Sequence, residues 1–344
     1  MHPVFENRKS TSIRLRFIVG LFAVALVGGV LSACGSGSQD GRQKVTFVLD
    51  FNVLGRHALF FTALKKGYYA DEGLDVEFQK SSGSADTIKT LSAGRAKLGY
   101  ADAATLAVVK GQQAAPVKLT AVVYQNAPYG IYALAKSGIK EPKDLQGKTM
   151  ADGAGSSVTA MFSAYAQLAG IDPKTVKHTV ADPSTLVSLL ASGRVDAIGQ
   201  NVMGAALIRK SVEGKEVTEL KYSDAGLKVY SNGILATDSV LKNDPELVRK
   251  FVRATIKGMK YAFANPEEAG KIFHGYHPEI DADIATAETK VVAGLAQTPD
   301  TDTNGLGHID PALLKSTISV VEKSFDMKEE VTVDSMYEAG FVTK

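Results

Sequence analysis

The chain has no tryptophan and one cysteine, Cys34. A lone cysteine excludes an internal disulfide, and without tryptophan any ring that stacks on a flat ligand must be phenylalanine or tyrosine. Several catalytic frames are also missing. There is no GxSxG turn for a nucleophilic serine, and Gly153-Ala154-Gly155-Ser156-Ser157 is not followed by the Lys-Ser/Thr pair of a phosphate-binding loop. His274 and His277 lie three apart, with His308 and Asp310 some way on, but no cysteine or HExxH frame completes a zinc site. No carboxylate pair stands at an interpretable spacing. No catalysis, metal or cofactor is therefore expected. Charge of one sign is equally absent, since 39 basic residues face 37 acidic ones. Four of the basic residues and one acidic residue fall within residues 1–33, so the remainder is close to neutral. Nucleic-acid binding, which needs a concentrated basic face, is not expected.

The one long apolar run, from Phe17 to Leu31, is shorter than the roughly 18–20 residues that span a bilayer. Behind the basic Arg8, Lys9, Arg14 and Arg16 it reads as a secretory signal over residues 1–33. Leu31-Ser32-Ala33-Cys34 resembles a bacterial lipobox, in which the cysteine takes a diacylglycerol. Residues 34–43, rich in glycine and serine, read as a flexible tether. The expectation is an extracytoplasmic, monomeric protein held to a bacterial membrane through lipid at Cys34, on the periplasmic face in a diderm cell.

The rest alternates short apolar runs with helical periodicity. Strands are predicted at Val45 to Asp50, Leu74 to Gln79, Ala96 to Tyr100 and Leu119 to Tyr124. Helices are predicted from His57 to Ala70, from Ser84 as cap to Gly94, and over Leu247 to Ala262 behind Pro245. Helices that separate short strands regularly mark a mostly parallel α/β sheet. The segment Leu91 to Gly99 is echoed by Leu190 to Ile198 at an offset of 99 residues, and Gly73-Leu74-Asp75 by Gly170-Ile171-Asp172. Two similar lobes explain this. Lobe one is predicted over 44–138 and 232–344 and lobe two over 139–231, with the chain crossing near 138–142 and returning near 229–233.

Open α/β sheets bind ligands beyond the C-terminal ends of their strands. By that rule the candidate ligand-binding residues of lobe one are Asp50, Phe51, Asn52 and His57, then Ser82, Gly83 and Ser84, then Asp102, then Tyr124, Gln125 and Tyr129. In lobe two they are Gly153, Gly155, Ser156 and Ser157, then Asp182, then Gln200 and Asn201. Plain roles compete at several positions. Phe51 and Tyr124 also suit a core, Asp50 and Asp102 suit helix caps, and the glycine loop suits a tight turn.

Leu49-Asp50-Phe51-Asn52, His57 and the run Lys66-Gly67-Tyr68-Tyr69-Ala70-Asp71-Glu72-Gly73-Leu74-Asp75-Val76 resemble the opening signature of the periplasmic binding proteins for nitrate, sulfonates, taurine and thiamine-pyrimidine precursors. Tyr129 to Leu134, Ile139 to Lys148 and Asp310-Pro311 through Phe341 are most similar to the pyrimidine-precursor branch. The resemblance implies a type II periplasmic binding fold, two α/β lobes joined by two crossovers. It also implies an ABC permease with a cytoplasmic ATPase as partners. It would place Phe51, Asn52, His57, Ser82, Asp102, Tyr124, Ser156, Ser157, Gln200 and Asn201 around the ligand. The branch usually carries tryptophan where this chain has Phe51, and an aromatic where Gln200 precedes Asn201. A flat heterocycle between Phe51 and Tyr124 is the implied ligand; a sulfonate or nitrate held by convergent amides and Arg56 is the alternative, which cleft-facing Asp50 and Asp102 would disfavour. A surface receptor without transport is a further reading. The wider family also includes a pyrimidine synthase that consumes its own histidine, where His57 would stand, but that enzyme's cysteine-rich iron motif has no counterpart here.

Overall fold

A computed structural model describes residues 41–153, 156–212 and 214–343. The signal segment, Cys34 and the tether up to residue 40 lie outside the described residues, as does Gly155. Ten strands are described: β1 (Gln43–Val48), β2 (Leu74–Gln79), β3 (Leu98–Asp102), β4 (Val117–Val122), β5 (Tyr129–Leu134), β6 (Thr149–Gly153), β7 (Lys177–Ala181), β8 (Ala197–Asn201), β9 (Val217–Lys221) and β10 (Asn232–Thr237). They form two five-stranded sheets, ordered β2-β1-β3-β10-β4 and β7-β6-β8-β5-β9. In each, three strands run parallel and a fourth is antiparallel to its neighbours.

The two sheets are the same pattern built twice. In both, the strand order is second, first, third, then the antiparallel strand, then the last. The antiparallel strand is β10 in the first sheet, arriving from lobe two, and β5 in the second, arriving from lobe one. β3 and β8 are separated by the 99 residues seen in the sequence echo. This is the two-lobed fold of the periplasmic binding proteins.

The position of β5 corrects the expected crossing. Tyr129–Leu134 pairs with β8 and β9, so the chain changes sheet between Val122 and Tyr129, ahead of 138–142. Every residue of β5 is buried, and so is every residue of β10. A fully buried strand reads alike in either sheet, because its apolar run carries no sign of its neighbours.

Helices cover the sheets. The helix Pro245–Ala264 starts at Pro245 with Asp244 capping Leu247 N, 3.2 Å away. Its buried stripe includes Leu247, Val248, Phe251 and Val252, and the Phe251 ring lies 4.6 Å from that of Phe47 on β1. Gly258 lets this helix approach Ala58–Lys65 closely, since a Cβ there would stand 2.7 Å from the Leu59 carbonyl oxygen. The predicted helix from His57 to Ala70 is broken at Gly67, whose φ of 76° ends the first segment. The helix Pro311–Ser324 belongs to neither lobe alone. It packs on Ala103–Gln112 of lobe one and on Phe162–Leu168 of lobe two.

Lobe two ends on an open edge. Strand β7 is exposed over nearly its whole length, Val180 reaching 69 % exposure. Lys177 on that edge discourages another strand from pairing with it.

Candidate ligand cleft between the lobes

The parallel strands of the two sheets end facing a common cavity of about 620 Å³, its open mouth included. From lobe one it is lined by Asp50, Phe51, Leu54, Arg56, Ser82, Gly83, Ser84 and Asn232. Lobe two supplies Gly153, Ser156, Ser157, Val158, Pro183, Leu186, Gln200 and Asn201.

Asp50 organises the lobe-one floor. It follows β1 and is buried to 6 % exposure. Its Oδ2 accepts from Arg56 Nη2 at 3.1 Å and Asn232 Nδ2 at 2.9 Å, and its Oδ1 lies 2.7 Å from His57 Nε2. The Leu54 amide donates to His57 Nδ1 at 3.1 Å, so that nitrogen is unprotonated and the ring proton sits on Nε2, donated to Asp50. Burial lowers the pKa of His57, which agrees with a neutral ring. Burial alone would raise the Asp50 carboxyl, but the Arg56 charge and the His57 hydrogen bond outweigh it and hold Asp50 well below the usual carboxylate range. Behind Arg56 stands a second carboxylate. Glu288 accepts the Arg56 backbone amide at 2.6 Å, and burial pushes its carboxyl up to about 7 against the pull of the Arg56 charge. The Arg56 guanidinium carbon stands 5.9 Å from the centre of the Phe51 ring.

A third buried carboxylate, Asp102, ties the lobes together. It caps the helix Ala103–Gln112, accepting from Thr105 N at 2.6 Å and Thr105 Oγ1 at 2.9 Å. Its other oxygen accepts from the Tyr129 hydroxyl on β5 and from Ser231 Oγ, 2.7 Å away on the returning crossover. Burial raises the Asp102 pKa, and the hydrogen bonds from Tyr129, Ser231 and Thr105 do not cancel that effect. Ser231 Oγ also lies 3.0 Å from Asn232 Oδ1. A polar chain thus runs from Asp50 in the cleft through Asn232 and Ser231 to Asp102 at the hinge. A second bridge between lobes joins Thr105 Oγ1 to Ser157 Oγ at 3.1 Å.

Ten of the residues expected at the ligand therefore line the cavity: Asp50, Phe51, Ser82, Gly83, Ser84, Gly153, Ser156, Ser157, Gln200 and Asn201. Seven do not. Asn52 is exposed outside the lining, and His57 is wholly buried behind Asp50. Asp102 and Tyr129 satisfy each other at the hinge. Tyr124 is a core ring, 5.9 Å from Tyr100 and edge-on to it, so it cannot sandwich a ligand against Phe51. Gln125 and Asp182 are also spent elsewhere, on Val122 and His308 carbonyls and on the Ser184 amide. Ser84 does not cap its helix as expected. Gly83 holds the cap position, and Ser84 Oγ accepts the Asp102 amide at 3.1 Å.

Asn232 was missed, as were Leu54, Val158, Pro183 and Leu186. Asn232 opens β10, 182 residues from its partner Asp50, and the only hint in one dimension was a polar residue at the foot of an apolar strand beside a crossover. Among the described residues, no group of three His, Cys, Asp or Glu could hold a metal ion, and no helix is long and apolar enough to cross a membrane.

Two sheets of matching order, joined by two crossovers and meeting at a polar cavity, define a two-lobed binding protein. Residues 55–269 match the family described as NMT1/THI5 like, and the chain belongs to that family. It is 26 % identical over 318 residues to the riboflavin-binding protein RibY of Chloroflexus aurantiacus, covering 89 % of this chain and 88 % of that one. It is 23 % identical to the formylaminopyrimidine-binding protein of Halalkalibacterium halodurans, over 67 % of this chain and 69 % of that one. The 4-amino-5-hydroxymethyl-2-methylpyrimidine phosphate synthase THI13 of Saccharomyces cerevisiae is 24 % identical, over 70 % and 74 % of the two chains. Among solved structures, the alkanesulfonate-binding protein SsuA of Xanthomonas axonopodis pv. citri bound to MOPS shares the fold with a TM-score of 0.70 at 12 % identity, covering 86 % of this chain and 98 % of that one.

Proposed function

We propose that this protein is the extracytoplasmic solute-binding component of an ABC importer, anchored through lipid at Cys34, and that it captures a small, flat, pyrimidine-like heterocycle between its lobes. The observation that carries this reading is the composition of the cavity. One aromatic face, Phe51, stands among neutral side chains of both lobes, Ser82, Ser156, Ser157, Gln200, Asn201 and Asn232, which can read the edge of a ring. Two relatives named for riboflavin and a formylaminopyrimidine point the same way, because both ligands contain a pyrimidine ring. Ligand contacts from two lobes would favour the closed form over the open one, and closure would present the surface that a permease recognises.

Catalysis fits the site less well. A histidine consumed as a reagent needs a free ring nitrogen in reach of the substrate. Here one nitrogen of His57 accepts a backbone hydrogen, the other donates to Asp50, and the ring is fully buried. Anion binding has one observation in its favour, the cation of Arg56 in the lining.

The test is native mass spectrometry of gently purified protein, followed by denaturation and exact-mass identification of what is released. A pyrimidine or flavin is the expected result. A sulfonate, nitrate or other small anion would overturn the ligand reading, and an empty protein would be screened by thermal shift against both classes.

A further inference from the structure

The charge arrangement beneath the cleft bears on which chemical class can enter it. Arg56 lines the cavity and is buried to 6 % exposure, yet its side chain makes a single hydrogen bond, from Nη2 to Asp50. A guanidinium carries five N–H donors. Nε is buried with no partner among the described residues. The group therefore has donors to spare. Its charge, in contrast, is already spent. Asp50 is in salt-bridge contact at 3.1 Å, and the Glu288 carboxyl lies against the Arg56 backbone. His57, neutral with its proton on Nε2, adds no positive charge. An anion placed against Arg56 would meet the Asp50 carboxylate as well as the cation, and would lose its hydration without a net attraction. A neutral acceptor loses little on entering and satisfies donors that otherwise have nothing to bond.

The geometry points to Arg56 as the specificity-determining residue of the cleft: it donates to a carbonyl oxygen on an uncharged ring laid near Phe51, and its pairing with Asp50 turns the site against anions. This rests on the heterocycle reading above and adds to it the feature a ring must carry. Phe51 alone would accept any flat ring. Arg56 would demand an acceptor at the ring's edge, since a buried donor left unpaired is what makes a polar site reject an analogue lacking the matching group.

The experiment compares three probes on the full-length protein by calorimetric titration. Alloxazine is an uncharged three-ring heterocycle with two carbonyls, phenazine has the same three-ring outline and none, and methanesulfonate is a small anion. Alloxazine is expected to bind roughly ten to a hundred times more tightly than phenazine, the value of a hydrogen bond from a charged donor, with no measurable binding of methanesulfonate. In Arg56→Lys, which keeps the charge beside Asp50 and loses the planar fork, that preference should shrink by about tenfold or more. Equal binding of alloxazine and phenazine to the unaltered protein would overturn the role of Arg56 and leave the ring-binding reading standing. Methanesulfonate binding more tightly than either ring, or no binding of either ring, would overturn both. A full preference retained in folded Arg56→Lys would also overturn the role of Arg56. Should the variant fail to fold, the comparison of probes on the unaltered protein decides alone.

Discussion

The two lobes repeat one strand order and face the same cavity with opposite chemistry. Register makes the comparison residue by residue. Val48 pairs with Gly99 and Ala151 with Ile198, so the position of Asp50 in lobe one is that of Gly153 in lobe two. Likewise Asp102 and Asn201 end the third strands of their sheets. Asp102 turns back to cap the following helix and is lost to the cleft, whereas Asn201 makes no side-chain cap and lines the cavity. Lobe one thus presents a buried ionic floor whose groups hold one another. Lobe two presents half-buried neutral groups, Ser156, Ser157, Gln200 and Asn201. The contrast teaches a division of labour in which lobe one is set before ligand arrives and lobe two adjusts to it.

If that division is real, breaking the floor should cost the fold far more than altering the rim. Asp50→Ala would leave Arg56 as an unpaired buried cation and strip His57 and Asn232 of their acceptor. A loss of about 3–5 kcal/mol is expected from removing one partner of a buried pair, read from urea unfolding. Its acid sensitivity follows from the same contact. The Asp50 pKa is lower in the fold than its ordinary 3.8, so its stabilisation is present above that value and is lost as pH falls below it toward the folded pKa. The unaltered protein should lose this contribution below about pH 4, and the variant should have none to lose.

The hinge carboxylate comes next in size. Asp102→Ala removes a helix cap and leaves the Tyr129 and Ser231 hydroxyls without their acceptor, for an expected loss of about 2–3 kcal/mol. Because Tyr129 and Ser231 lie on opposite crossovers, small-angle scattering should also show a wider spread of lobe separation. A stability loss with an unchanged scattering profile would reduce Asp102 to a cap.

An effect opposite in sign is expected at Glu288. Its pKa rises from an ordinary 4.5 to about 7 in the fold, so the folded chain holds this proton more tightly and loses stability as pH climbs through that window. Glu288→Gln keeps an acceptor for the Arg56 amide and removes the ionisation. Melting curves between pH 4.5 and 7 should be flatter for the variant, and at pH 8 it should be the more stable of the two.

These effects were legible in the sequence to different depths. The strand-to-loop junctions at Asp50, Ser82, Ser156 and Gln200 could be read because an apolar run that stops at a small or polar residue marks a strand end, and strand ends make the cleft. The direction in which a side chain turns at that junction could not. Asp102 and Asn201 occupy the same place in their lobes, and only the presence of Thr105, Tyr129 and Ser231 around the first pulls it inward. Tyr124 was indistinguishable from a ligand-stacking ring until Tyr100 was seen beside it. The expected place of Tyr129–Leu134 in lobe one failed for a related reason, since its partners in the second sheet lie far along the chain and leave no local mark.

The finest test of the comparison lies on the lobe-two rim. Asn201→Ala removes no cap and no ion pair, so stability should change by less than about 0.5 kcal/mol, while alloxazine affinity should fall by about 1 kcal/mol, the usual worth of one hydrogen bond. Asn232→Ala, on the lobe-one floor, makes the informative partner because its side chain donates to Asp50 at 2.9 Å and should weaken stability and affinity together. Should Asn201→Ala bind alloxazine as the unaltered protein does while Asn232→Ala does not, lobe one would grip the ligand alone. The neutral rim of lobe two would then shape the entrance, and closure would have to draw its energy from contacts between the lobes, such as Thr105 with Ser157, instead of from the ligand.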